Sequence, residues 1–316
     1  MNILVIGSGL VGKLSALELT KRNHSVQILA NHSQKNIASS NAAGILFPLQ
    51  PQLASQQIIT YLEKSHIWYD SFASNLSQRS RAQLRYRQSG MRALLQPFDT
   101  THKIFQHTIK ENGIYFSKGK TIDPRGLLTT LDEVLLDNNV QSINGEINHV
   151  IIDHDRIYGV SIGHTVLSAD AYIFCLGAWT SSYLPAIPKV VPTRGILLLC
   201  SSNHWLVETP LVFDNGYIVQ HAIHQVIIGT TSEAVNFSTQ YDNNIISQLK
   251  KNAEKHLPSI QQLTVDSILL GFRPTCDQIQ CGRHQDLVNC YLHYGHGGHG
   301  VACAPASACD LAEKIK

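Results

Sequence analysis

No two cysteines of this sequence stand as Cys-x-x-Cys, and their total of seven is odd, so neither a disulfide framework nor a zinc ribbon is indicated. Cys175, Cys290 and Cys303 lie in apolar surroundings, where buried free thiols are expected; this points to a reducing, cytoplasmic setting. Charge is scarce as well. Charged residues make up 15% of the chain and the formal net charge is +2, which leaves no electrostatic footprint for nucleic acid or a membrane surface. The four arginines between Arg79 and Arg87 are interleaved with polar residues and read as a solvated face. No apolar run approaches the roughly 20 residues that span a bilayer. The stretch Met1–Leu19 has no basic leading region and carries three glycines at fixed spacing, so it reads as a first structural element, not a signal peptide. There is no internal repeat and no low-complexity linker.

What is present is an ordinary globular composition. With 43% of its 316 residues hydrophobic, the chain has core enough for two domains, or for one α/β unit with an inserted lobe. Ile3–Ile6 is a short apolar run that meets a glycine turn. From Gly12 to Arg22, Leu14, Leu17 and Leu19 recur at roughly helical spacing, and Val26–Ala30 reads as a second strand, giving a βαβ opening. Beyond Pro48 and Pro51, Gln56 to Leu76 predicts a helix with Ile59, Leu62, Ile67 and Phe72 as its apolar stripe; Asp123-Pro124 starts another through Leu127, Leu128 and Leu131. Residues 142–175 predict a meander of short strands, 190–231 are strand-rich, and Asn243–His256 predicts a charged amphipathic helix. Ser267 to the end returns to strand, glycine loop and helix.

Gly7-Ser8-Gly9-Leu10-Val11-Gly12 is a GxGxxG loop between a strand and a helix. The first glycine permits the tight turn, the second lets backbone approach a pyrophosphate, and the third lets helix and strand pack closely. The helix N-terminus presents unpaired N–H groups to phosphates. This pattern serves NAD and FAD alike. The acidic residue that ordinarily ends the second strand and holds the ribose hydroxyls is missing; Leu29-Ala30-Asn31-His32 stands there, and Asn31 accepts a hydrogen bond without charge assistance.

Four more segments follow in order: Ser39-Ser40-Asn41-Ala42-Ala43-Gly44-Ile45-Leu46, Cys175-Leu176-Gly177-Ala178-Trp179, Gly271-Phe272-Arg273-Pro274, and Leu292-His293-Tyr294-Gly295-His296-Gly297-Gly298-His299-Gly300-Val301-Ala302. With them the sequence resembles the D-amino-acid oxidase and glycine oxidase family of FAD enzymes. The resemblance implies an α/β fold: a Rossmann-like FAD-binding domain from residues 1–47, 122–190 and 266–316, and an inserted substrate domain on a mixed or antiparallel sheet from 48–121 and 191–265. It places the flavin against Ser40, Asn41, Ala42, Ala43, Gly44 and Leu46, against Cys175, Gly177 and Trp179, and against Gly297 to Ala302. Backbone groups of Gly300, Val301 and Ala302 would face the flavin's pyrimidine edge, where negative charge builds on reduction.

The same resemblance implies oxidative deamination of glycine, sarcosine or a small D-amino acid. Hydride passes to flavin N5, the imino acid becomes an oxo acid and ammonia in water, and oxygen reoxidises the flavin to give peroxide. Arg273 would clamp the substrate carboxylate, since a guanidinium matches it in a planar two-bond geometry. Tyr217 would touch the same carboxylate, and the Gly298 carbonyl would receive the amine. The family's second tyrosine is Phe213 here, which donates no hydrogen bond, and the stretch from Gly195 to Phe213 is short, as in a reduced lid. Cys276 is expected to be a plain thiol, although relatives of the sarcosine oxidase type attach FAD through a cysteine. His293, His296 and His299 fall in the flavin segment without a carboxylate or Cys-x-x-Cys to complete a metal site, so no metal is expected. A homo-oligomer is compatible with all of this. Two rivals remain: an NAD-dependent dehydrogenase, and a flavoprotein in a binding or regulatory role without turnover.

Overall fold

The computed structural model describes residues 1–96, 98–110, 113–184 and 186–315. In chain order the first strands are β1 (Asn2–Ile6), β2 (Ser25–Ala30), β3 (Met91–Ala93), β4 (His107–Lys110), β5 (Gly113–Phe116) and β6 (Gln141–Asn144). They are followed by β7 (His149–Asp153), β8 (Arg156–Ile162), β9 (Thr165–Leu167), β10 (Ala171–Phe174) and β11 (Val191–Ser201). The last are β12 (Leu211–Phe213), β13 (Gly216–Ala222), β14 (Gln225–Gly229), β15 (Thr264–Arg283) and β16 (Cys290–His296). The α-helices are α1 (Leu10–Thr20), α2 (Gln56–Asn75), α3 (Gln78–Leu84), α4 (Pro124–Asp137), α5 (Asn244–Glu254) and α6 (Gly300–Lys314).

Among the described residues thirteen strands join in one sheet, ordered β4-β5-β3-β12-β13-β14-β11-β15-β16-β10-β1-β2-β6, and β7-β8-β9 form a second, small sheet. The end from β16 to β6 is parallel throughout. The rest is antiparallel except for the β3–β12 pair. The predicted meander is therefore split: β7 to β9 stand apart, while β6 and β10 join the parallel half, β10 lying between β1 and β16. β15 is long enough to pair with β11 along one stretch and with β16 along another, so it carries the sheet from one half into the other.

The burial pattern follows from the pleat. Ile3 and Val5 of β1 face the cluster that holds α1, α4 and α6, and Leu4 and Ile6 face the cluster shared with the small sheet, so the strand is apolar on both faces. In the antiparallel half, Leu197, Val212, Tyr217 and Val219 face one layer, while Ile196, Leu198, Phe213 and Ile218 face the other, where α5 packs. The predicted helix starts hold. Asp123 caps α4 by accepting from the Arg125 and Gly126 amides (3.0 and 3.5 Å), with Pro124 at the first position, and the Ser55 hydroxyl accepts from the Ile58 amide at the head of α2.

The arginine run departs from expectation. Arg79 and Arg81 are exposed, but Arg85 and Arg87 are half-buried. Arg85 reaches the Asp123 carboxylate, and Arg87 donates to the Gln220 carbonyl and lies over the Trp205 ring, 4.7 Å from its centroid. These two side chains join the α3–α4 region to the antiparallel sheet, which alternation of basic and polar residues could not reveal.

Helix α6 contains Pro305, which has no amide to give and leaves the carbonyl four residues earlier, that of Val301, without its helical partner. Helix α2 supplies the replacement. The Tyr69 hydroxyl donates to the Val301 carbonyl (2.7 Å), and the Ser65 hydroxyl accepts from the Ala306 amide (3.1 Å). Both side chains are fully buried. The first turn of α6, which carries part of the glycine-histidine segment, is thus held by α2. Tyr69→Phe keeps the ring and strands that carbonyl. It is expected to lower unfolding free energy by about 1–3 kcal/mol, read from the urea midpoint at constant m-value; an unchanged midpoint would show that the carbonyl needs no partner.

Candidate functional site

All five parallel strands run the same way, and the residues just beyond their carboxyl ends converge on one cavity of about 950 Å³. Gly7 follows β1, Asn31 follows β2, Gly145 and Glu146 follow β6, Cys175 follows β10, and Gly297 follows β16; all of them line it. Ligands of open α/β sheets bind at this edge. The cavity continues across the antiparallel half, where Gly195, Leu197, Val212, Tyr217, Thr230 and Arg273 form its wall.

The glycine loop is built by close approach. Gly7 has φ of +110°, and a Cβ there would lie 2.6 Å from the Cys175 carbonyl oxygen; a Cβ at Gly12 would collide with the Gly7 carbonyl. Leu10, at the first turn of α1, gives its amide to the Ser39 hydroxyl (3.0 Å). Gly9, Leu10 and Val11 line the cavity, while Gly12 sits behind them as a packing residue.

The second segment crosses the cavity with Asn41, Ala42, Ala43 and Gly44 on its wall. Ser40 and Leu46 do not reach it: the Ser40 hydroxyl faces the Ile37 carbonyl (3.4 Å), and Leu46 is fully buried in the core. Two neutral imidazoles hold this segment from behind, His66 on the Leu46 carbonyl (2.8 Å) and His221 on the Ala43 carbonyl (2.7 Å). Burial lowers both rings' pKa, that of His66 to about 4, so they donate without carrying charge. Gly177, Trp179 and the run Gly297 to Val301 also line the cavity, whereas Ala302 is turned into the core. A methyl group added at Gly297 or Gly298 would meet nothing within 4 Å, so the loop leaves open space on the cavity side.

His293 and His296 line the cavity with their rings held by buried serines. Ser15 Oγ is 2.7 Å from His293 Nδ1, and the Ser307 hydroxyl lies 2.8 Å from His293 Nε2 and 2.9 Å from His296 Nε2. Burial lowers both, His296 to about 3, and burial lowers His299 as well. Among the described residues no three histidine, cysteine or acidic side chains are placed to hold a metal ion.

Arg273 and Tyr217 come together at Thr230. Arg273 Nη2 donates to the Thr230 hydroxyl (2.6 Å) and Nη1 to the Thr231 carbonyl (3.0 Å). Burial raises the Tyr217 hydroxyl, and the Arg273 cation and the Thr230 hydroxyl oppose that rise. The half-buried guanidinium has no carboxylate paired with it among the described residues. Room for these two side chains comes from glycines on the neighbouring strands. Thr193 pairs with Arg273, so Gly195 is its diagonal neighbour, and a Cβ there would strike the guanidinium; a Cβ at Gly229, opposite Tyr217, would strike the phenol ring. Phe213 is among the cavity-lining residues, but its ring packs in the other layer, stacked on His256 with centroids 4.5 Å apart, and the pleat sets Val212 opposite Tyr217. Cys276 lines the cavity as a thiol whose hydrogen faces the Lys189 carbonyl, and burial pushes its pKa up to about 11.

Sequence reasoning singled out Ser40 where Ser39 caps α1, and it missed Gly195, Gly229, Thr230, Thr231 and Glu146. The two glycines carry a usable signal, since each stands inside a strand pattern where only close approach explains it. The threonines carry none without the register.

The whole chain matches known proteins. The family described as FAD dependent oxidoreductase matches residues 2–314. A bifunctional protein ThiO/ThiG of Trichormus variabilis is 25% identical over 99% of the chain; the chain spans about half of that relative's length, 52%. A glycine oxidase of Geobacillus kaustophilus is 21% identical, covering 100% of the chain and 93% of the relative. The crystal structure of glycine oxidase from Bacillus cereus superposes with a TM-score of 0.87 at 19% identity, over 99% of this chain and 94% of that one. It shows that the fold is shared.

The Gly195 geometry is testable alone. Gly195→Ala should displace the Arg273 guanidinium and weaken binding of a small carboxylate such as acetate roughly tenfold or more, measured by calorimetry. Unchanged affinity would mean that the guanidinium does not meet the anion.

Proposed function

Since the chain belongs to the family of FAD-dependent oxidoreductases, matched from residue 2 to 314, we propose that it oxidises a small amino acid or amine, with glycine, sarcosine and small D-amino acids as the leading substrates. The observation that carries this reading is Arg273: a half-buried cation on the cavity wall, held in place by Thr230 and Thr231 and without a carboxylate partner of its own among the described residues. Such a group costs stability unless an anion arrives, and a substrate carboxylate is the anion its fork matches.

The cavity fits FAD. It is long, it begins at a helix N-terminus behind a glycine turn, and it passes beneath a small-residue segment whose bulk is restricted; at Gly44, φ is +73° and a Cβ would collide with the Ile122 carbonyl. In this reading Gly7, Gly9, Leu10, Val11 and the α1 N-terminus hold the pyrophosphate, with Gly12 packing behind. Asn41 to Gly44, Cys175, Gly177 and Trp179, and Gly297 to Val301 surround the flavin, while Ser40, Leu46 and Ala302 position backbone from behind. The earlier division into a cofactor domain of 1–47, 122–190 and 266–316 and a substrate domain of 48–121 and 191–265 assigns β11 to β14 and α5 to substrate.

Bound FAD supplies a two-electron acceptor beside the substrate's carbon–nitrogen bond. The protein's part is positioning. Arg273 takes the carboxylate, Tyr217 adds a hydroxyl, and the Gly298 carbonyl receives the amine, so that the α-hydrogen is directed toward the cofactor. The amine must lose its ammonium proton before it is oxidised, and no charged side chain is required in the transfer itself. The resulting imine adds water to give the oxo acid and ammonia. Oxygen is the proposed final acceptor. Seven free thiols fit a cytoplasmic setting, and no described helix is long and apolar enough to cross a membrane.

The test is anaerobic mixing of the FAD-loaded protein with glycine, sarcosine, D-proline and other D- and L-amino acids while the visible flavin band is followed. Bleaching by one group establishes the reaction and its substrate class. Arg273→Met should then lower the reduction rate at limiting substrate by roughly 100-fold or more, as removal of one member of a charge pair does. A loaded protein that none of them bleaches would leave a flavoprotein without amino-acid turnover.

A further inference from the structure

The ribose-binding carboxylate expected at the end of β2 is missing, and Asn31 does not replace it. Its side-chain oxygen already accepts from the Ser33 amide (3.0 Å) and the Ser33 hydroxyl (2.6 Å), closing a local turn. A ribose hydroxyl that reached Asn31 would find the oxygen occupied, leaving the amide group as a donor.

A carboxylate stands one strand away. β2 and β6 are parallel and paired up to Ala30 opposite Asn144, and the Gly145 amide donates to the Ala30 carbonyl (2.9 Å), so the two chains leave the sheet together. Glu146 is the second residue beyond β6, one position past the residue level with Asn31 in the register of the pair. Both line the cavity on the side of the glycine loop. Glu146 is exposed toward that space and, among the described residues, makes no hydrogen bond or ion pair, although it lies close enough to Tyr183 on the same wall to add to the rise that burial causes there. The Asn144 side-chain oxygen accepts from the His32 amide (3.1 Å), which ties the two strand ends to each other and fixes Glu146 relative to the β2 turn.

We propose that Glu146, at the end of β6, carries the charge-assisted acceptor for the adenosine ribose hydroxyls of FAD, in place of the missing acidic residue after β2. The neighbouring strand thus supplies what the usual strand lacks. The role is one of cofactor binding and concerns the end of FAD remote from the flavin. It is independent of which amine is oxidised.

The experiment compares flavin binding to the flavin-depleted full chain by fluorescence quenching, using two probes. FAD carries the adenosine and FMN does not. Glu146→Gln should weaken FAD binding about tenfold and leave FMN binding within twofold, and Asn31→Asp added to Glu146→Gln should recover most of the lost FAD affinity. Because Glu146 is exposed, the variant should melt at the wild-type temperature without flavin. Equal FAD affinity in wild type and Glu146→Gln would overturn the proposal, as would an equal loss for FAD and FMN. Substrate turnover is not read, so failure here would leave the oxidase reading standing, and a protein that bleaches with no amine would leave this proposal standing.

Discussion

The proposed chemistry of this protein depends on one guanidinium that, among the described residues, has no carboxylate partner. Arg273 stands on β15 two residues before its pairing with β11 ends at Thr275, and it is kept in the cavity wall by a hydroxyl and a carbonyl, both neutral. Neutral partners fix its direction and leave its charge uncompensated. That arrangement asks for small-residue surroundings, because a half-buried fork needs space on the next strand, and Gly195 provides it. It also ties Tyr217 to the same point through Thr230, with Gly229 leaving room for the phenol. The antiparallel sheet is thus less a container than a jig, in which Gly195 on β11 and Gly229 at the end of β14 leave room for Arg273 and Tyr217, and the two threonines just beyond β14 hold the cation.

The parallel half obeys a different constraint. Five strand ends open on one edge, and each contributes a residue or a short loop to the cavity. Close packing at Gly7 and Gly12 allows helix α1 to approach that edge, and the α2 bonds to Val301 and Ala306 hold the first turn of α6 there in spite of Pro305. The parallel and antiparallel halves are parts of the same sheet, joined by the length of β15.

Much of this was legible in the sequence because it rests on local periodicity. The βαβ opening, the helix beginning at Pro124 and the final strand–loop–helix were all given by apolar spacing, caps and glycine turns within a few residues of one another. The order of strands was not. Nothing in residues 142–175 says that β10 leaves its neighbours to lie between β1 and β16, because that choice is made by pairing partners far away in the chain. The site divides in the same way. Arg273, Tyr217 and the glycine-histidine segment stand out as residue types in recognisable order. Thr230, Thr231 and Gly195 act only through cross-strand register, and Ser39 could be told from Ser40 only by which hydroxyl faces the α1 N-terminus. Phe213 lines the cavity without a hydroxyl, as read from the sequence, but only the pleat shows that its ring packs in the layer opposite Tyr217. Arg85 and Arg87 mislead for the same reason, since composition reads them as solvated and the fold uses them as struts.

The account turns on whether the substrate is held by its carboxylate. Anaerobic reduction of the FAD-loaded protein by an amino acid that bleaches it, set beside the matching amine without the carboxylate, such as glycine beside methylamine, tests this most directly. The account predicts reduction by the amino acid at least 100-fold faster at equal low concentration, with the preference abolished in Arg273→Met. Equal rates for the pair in the wild-type protein would contradict it, and would mean that Arg273 serves some purpose other than holding the substrate.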